Sequence, residues 1–197
     1  METPEIPLRN LLRQKISPKQ RNTYLSSQTK YVLTTRFNTA TWDENKAFRE
    51  KERYINCIYC SPNGTSQSIP LNSLLFVLEM NNTTNQIMGI GLVRNTAFRE
   101  HYKVYKYGYY NLVAYIGYHR IEREDLCFEK IGKVCIWEEL EQICFKGKGH
   151  LKMGNGMTSF PVNALYHFQQ QGIDVIRWIS KKFKEKYKCN TIDDGNV

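Results

Sequence analysis

The sequence predicts an α+β fold, a small, strongly bent or barrel-like, mostly antiparallel sheet with flanking helices. Short β-branched and aromatic runs fill the first two-thirds of the chain, and amphipathic helical patterns fill the last third. Gly89 and Gly91 interrupt one apolar strand, where a bulge or a close backbone approach would bend a sheet. At 197 residues with 41% hydrophobic content, the chain can bury one sizeable core but hardly two. Residues 31–197 are therefore expected to form a single α+β domain ending in a lysine-rich helix, preceded by a basic, partly flexible arm over residues 1–30.

The arm mixes Pro4, Pro7 and Pro18 with Arg9, Arg13, Lys15, Lys19 and Arg21, leaving room for one helical turn near Leu8, Leu11 and Leu12. Tyr31-Val32-Leu33-Thr34-Thr35 suits a first strand. A surface helix to Arg53 follows, signalled by a capping box in which Thr41 caps the first turn and Glu44 reaches back. Residues 54–60 alternate as a strand and stop at Ser61-Pro62-Asn63-Gly64, a strong turn signal. The apolar runs 74–80 and 87–93 flank a polar linker and predict an antiparallel hairpin. Residues 111–118 make a further strand. Ile136, Leu140, Ile143 and Cys144 share one helical face, stopped by Gly147. Ser159 before Pro161 marks another helix start, and Gly172 its end. The last helix, from Ile173, gathers lysines at its C-terminus, where cations suit the helix dipole.

Charge is unevenly placed. The formal net charge is +9, yet residues 31–145 sum to zero, so all the excess lies in residues 1–30 and 146–197. Basic ends around a neutral body suit contact with a polyanion, because phosphate neutralisation dominates non-specific nucleic-acid affinity. Solubility is the plainer reading of the same tails. No apolar run approaches membrane-span length, and residues 1–10 lack the apolar segment of a signal peptide. The expected location is intracellular, cytoplasmic or nuclear. A chain rich in Asn, Lys, Ile and Tyr has the flavour of an AT-rich genome, such as a parasite's or a large DNA virus's, which extends that expectation to a virus-infected host cell.

Cys57-Ile58-Tyr59-Cys60 has the spacing of half a zinc site or of a redox pair. No second close pair of ligands accompanies it, and a turn follows it where a redox motif wants a helix. The six cysteines therefore read first as structural, and no metal or cofactor is expected. The histidines His101, His119, His150 and His167 form no diagnostic spacing with one another or with carboxylates. They support no catalytic assignment.

Two stretches offer binding chemistry. In residues 146–158, four glycines let backbone approach a ligand, while Lys146, Lys148, His150 and Lys152 supply donors for phosphate. The stretch is neither a Walker loop nor a dinucleotide fingerprint, and a merely flexible connection is its bland reading. In residues 102–110, Tyr102, Tyr105, Tyr107, Tyr109 and Tyr110 alternate with Lys103 and Lys106, so rings for bases lie beside cations for phosphates. An exposed strand using tyrosine for its β propensity explains the same pattern.

The order of a strand at Tyr31–Thr35, the nearby Trp42, an apolar hairpin ending Ile87-Met88-Gly89-Ile90-Gly91-Leu92-Val93 and an aromatic strand resembles the PUA-like superfamily, especially its EVE and YTH-like branches, over about residues 31–145. The resemblance implies a small β-barrel with flanking helices that binds RNA or a modified base. It also implies that Trp42 and Asn38 stand near the base pocket, with Tyr59 contributing. The basic arm and the lysine-rich last helix fall outside that pattern.

The expected function is a non-catalytic nucleic-acid-binding module for RNA or single-stranded DNA. Lys146, Lys148, His150, Lys152, Lys181 and Lys182, with Lys103 and Lys106, would meet phosphates, and Trp42, Asn38, Tyr59 and Tyr105 would engage bases. The alternative is a structural or interaction protein, such as a component of a large DNA virus particle, whose basic ends meet acidic protein partners. A hydrolase using His150 with a carboxylate ranks last.

Overall fold

The computed structural model describes residues 8–99, 102–126, 130–132 and 134–188. The chain is α+β. Its main sheet has five strands in the order β6-β4-β3-β1-β9: β1 (Lys30–Phe37), β3 (Leu74–Asn81), β4 (Gln86–Arg94), β6 (His119–Glu122) and β9 (Thr158–Ser159). β1 and β3 run parallel, and the other pairs in this sheet are antiparallel. A parallel pair needs a crossover, supplied here by helix α3 (Thr39–Lys51) and strand β2 (Cys57–Ser61).

The hairpin of residues 74–93 forms as expected, its turn closing with Asn85 at φ 57°, a left-handed position that Asn tolerates. β2 pairs with β5 (Val113–Gly117) in a second, two-stranded sheet. β5 then passes through Tyr118 directly into β6, so one strand path bends from the small sheet into the large one. The described strands nevertheless do not close a barrel. The free edge of β1 takes the two-residue β9 instead of β2, and no ladder joins the sheets there. A separate short hairpin joins β7 (Lys130–Ile131) to β8 (Val134–Cys135).

Alternation along the strands sorts side chains into two apolar clusters, one on each side of the main sheet. Val32, Phe76, Leu78 and Ile90 pack with helices α4 (Ile136–Phe145), α5 (Val162–Gln170) and α6 (Val175–Tyr187). Leu33, Phe37, Leu75 and Val77 face β2, β5 and α3. Residues 8–30 contain helices α1 (Leu8–Leu11) and α2 (Pro18–Ser26), and both Leu12 and Tyr24 are buried in the first cluster.

Helix starts differ from expectation where a neighbouring element claims the capping residue. Asn38, leaving β1 in extended conformation, caps α3: its Oδ1 accepts from the Thr41 amide at 2.8 Å, and Thr41 Oγ1 accepts from the Asn38 amide at 3.0 Å. Thr41 is thus the third residue of the box and not its first. Ser159 is taken by β9, so α5 begins at Val162. Asp174 caps α6.

The glycines of β4 permit a close approach. A Cβ at Gly91 would stand 1.8 Å from the Tyr59 hydroxyl, and one at Gly89 would stand 2.7 Å from the Arg120 guanidinium. That space lets Arg120 extend across β4 to Glu79, which sits where the β3–β4 register slips between Leu78 and Met80. The bulge expected of the glycines therefore falls on the partner strand.

Candidate nucleic-acid interface

The end of β1 delivers Arg36, Phe37 and Asn38 to the edge of the sheet. Arg36 donates through Nε to the Leu151 carbonyl, through Nη1 to the Gly156 carbonyl at 3.3 Å, and through Nη2 to Thr158 Oγ1 at 2.7 Å. Burial pushes Arg36 below its ordinary pKa, yet a guanidinium stays protonated. One side chain thereby holds the glycine loop against β1. Asn82 adds a bond from Nδ2 to the Lys152 carbonyl at 3.0 Å. Gly156, at φ 69°, lies so close to Ser61 that a Cβ would stand 2.8 Å from the serine Cβ. Conformation and space both demand glycine there.

Opposite the loop stands the segment before β5. Asn111 accepts from the Val104 and Tyr105 amides at 3.2 and 3.0 Å and donates to the Tyr105 carbonyl at 2.6 Å. Tyr105 is buried, and its hydroxyl accepts from Asn45 at 3.3 Å. These bonds fix Tyr105 and Tyr110 as a wall facing the loop.

Between wall and loop lies a cleft of about 220 Å³, lined by Arg36, Phe37, Asn38, Thr41, Tyr105, Tyr110 and Lys152, with Cys60, Asn82 and residues 154–156 completing it. No carboxylate is among its described lining residues. Its volume lies below the roughly 300–1,000 Å³ typical of sites for drug-sized ligands. Burial pushes the Cys60 thiol up to about 12, so at neutral pH it stands in the wall as an inert thiol.

Of the residues expected to bind, Asn38, Tyr105 and Lys152 meet in this cleft. Lys103 and Lys106 line an adjoining open groove of about 890 Å³ that shares Tyr105 with the cleft and includes Phe48 and Tyr102. Lys146 and Lys148 are exposed on the glycine loop, while His150 is half-buried and its Nδ1 accepts from the Lys152 amide at 3.3 Å.

Three expectations need correction. Tyr59 is 1% exposed and donates to Glu79 Oε1 at 2.8 Å, so it belongs to the core and cannot meet a base. Trp42 does not line the cleft: it packs edge-on against Phe37, with Arg49 and Arg120 each 5.5 Å from its ring centroid. It supports the cleft wall through cation–π and ring contacts. Lys181 and Lys182 lie on α6, whose Phe183 stacks on Phe76 across the sheet from the cleft, and both pair with Glu185. The glycine loop and the last helix therefore do not form one basic face.

Sequence reasoning missed Arg36, Phe37 and Asn82. Arg36 carried a signal, being the only charged residue inside the strand Tyr31–Phe37. Among the described residues, no group of three or more His, Cys, Asp or Glu could hold a metal ion. Cys57, Cys60 and Cys144 are buried free thiols and Cys135 is buried, while Cys127, Cys189 and His101 lie outside the described residues. No described helix is long and apolar enough to cross a membrane. No family model matches the chain, and neither a curated protein nor a solved structure matches it.

Proposed function

We propose that the chain is a non-catalytic nucleic-acid-binding module that takes one unpaired base of an RNA or single-stranded DNA into the cleft between the glycine loop and Tyr105. The observation that carries this reading is convergence: Asn38, Tyr105, Tyr110 and Lys152, distant in sequence, line one small site with Arg36 and without a carboxylate. Tyr110, half-buried in the cleft wall, offers ring surface to a base, backed by the buried rings of Phe37 and Tyr105. The exposed Asn155 lines the cleft and offers its amide donor and acceptor to a base edge. Lys152 supplies a cation for a flanking phosphate, and the adjoining groove adds Lys51, Lys103 and Lys106 alongside the carboxylates of Glu44 and Glu52.

A reader of RNA or of a modified base is the form that the PUA-like resemblance gives this proposal. Binding of fluorescently labelled single-stranded RNA and DNA, followed by anisotropy across a salt series, tests the proposal. With two to four phosphates neutralised, log K is expected to fall with log salt at a slope of about −1.4 to −2.8. Absence of binding at low salt, or affinity indifferent to salt, would overturn it.

A further inference from the structure

Tyr107 and Tyr109 are 64% and 54% exposed on the 3-10 turn that precedes β5, where large aromatic rings normally seek cover. They are not scattered. Their ring centroids are 6.2 Å apart, and each also contacts Tyr110, at 5.2 Å from Tyr107 and 6.4 Å from Tyr109. Tyr110 in turn lines the cleft and meets Tyr105 at 6.3 Å. An unbroken run of rings therefore leads from the cleft onto the surface. Asn111 holds this segment through its bonds to residues 104 and 105, so the rings are displayed on a fixed turn.

We infer that Tyr107 and Tyr109 form a stacking ledge for the nucleotides that flank the one in the cleft, so that the protein engages about three successive unpaired nucleotides. The inference rests on the nucleic-acid reading of the cleft. Interplanar angles of 57–64° among Tyr107, Tyr109 and Tyr110 exclude ring-on-ring stacking between the tyrosines and leave faces for separate bases. Lys106 neighbours Tyr107 in sequence and is exposed, placing a cation beside the strand such bases would belong to. Bases inside a duplex already stack on each other and have no free face to offer. The ledge therefore selects single strands.

Anisotropy titrations with labelled oligouridylates of one, three and six nucleotides, and with a six-base-pair RNA duplex, test this. Stacking on a ring is expected to raise affinity at least about tenfold from one nucleotide to three, with little further gain to six. In Tyr107→Ala/Tyr109→Ala that gain disappears while single-nucleotide affinity is kept, and Tyr107→Phe/Tyr109→Phe restores it. Both positions are exposed, and equal melting temperatures confirm that the variants fold. A length gain that survives the alanine pair, or a duplex bound as tightly as the single strand, overturns the ledge and leaves the cleft reading standing. Absence of wild-type binding to every oligonucleotide overturns both.

Discussion

Arg120 grips Glu79 inside the protein, with Nη2 2.6 Å from Oε2 and Nε 2.9 Å from the same oxygen. Tyr59 donates to the other carboxylate oxygen at 2.8 Å, and Glu122 meets the guanidinium from the protein surface. Burial alone would lower the arginine pKa, but contact with the glutamate reverses this and raises it, so the guanidinium stays charged. Breaking such a pair strands a buried charge, whereas removing both charges does not. Glu79→Leu or Arg120→Met is expected to cost about 3–5 kcal/mol in urea unfolding, and the double variant markedly less than the sum of the two.

Gly91 exists to admit the Tyr59 hydroxyl. Gly91→Ala is expected to destabilise by about 1–3 kcal/mol through overpacking, since its Cβ would meet the hydroxyl oxygen. Combining it with Tyr59→Phe should recover only part of the loss. The Tyr59 ring carbon and the Cys57 sulfur would each remain 2.8 Å from the new methyl. Urea midpoints of the three variants check this.

Arg36 is expected to govern the order of the glycine loop more than global stability. Arg36→Met removes its bonds to the Leu151 and Gly156 carbonyls and to Thr158 while keeping much of the apolar stem. Hydrogen exchange of amides 151–158 should accelerate by at least about tenfold, a loss on the order of 1.4 kcal/mol of local protection, with far smaller changes in β3 and β4.

Burial pushes the Cys57 and Cys60 thiols and the Tyr24 phenol up to about 12. In the unfolded chain thiols ionise near 9 and phenols near 10. Between those values and about 12 the unfolded chain holds fewer protons than the folded one, so stability falls as pH rises through that window and is fully present below it. The urea midpoint should drop between about pH 8 and about pH 10.5, and Cys57→Ala/Cys60→Ala should flatten the drop.

The elements that sequence patterning located were those whose own residues determine them. The hairpin of residues 74–93 needed only two apolar runs and a polar turn, and α4 needed only its apolar stripe. The open sheet was not legible, because whether β1 pairs with β2 or with β9 is decided by tertiary packing around residues 146–160. Asn38, Tyr105 and Lys152, singled out in the sequence for their chemistry, line one cleft together. Tyr59 and Trp42 were misplaced because aromatic side chains serve equally as core and as ligand contact. For Tyr59, the deciding partner was Glu79, a lone carboxylate in the strand Leu74–Asn81 whose burial forces it to find an arginine and a hydroxyl. Lys181 and Lys182 stand apart from the cleft, because charge counted along a chain does not say which side of a sheet carries it.

The proposed uptake of an unpaired nucleotide by the cleft beside the glycine loop is tested by amide chemical-shift mapping of the isotopically labelled protein, titrated with a short single-stranded RNA at low salt. Saturable shifts are expected at residues 35–41, 105, 110 and 152–156, with their loss when Asn155→Trp plugs the cleft and silence along α6. Shifts confined to the lysines of α6, or shifts at the cleft that persist in the plugged variant, would contradict it.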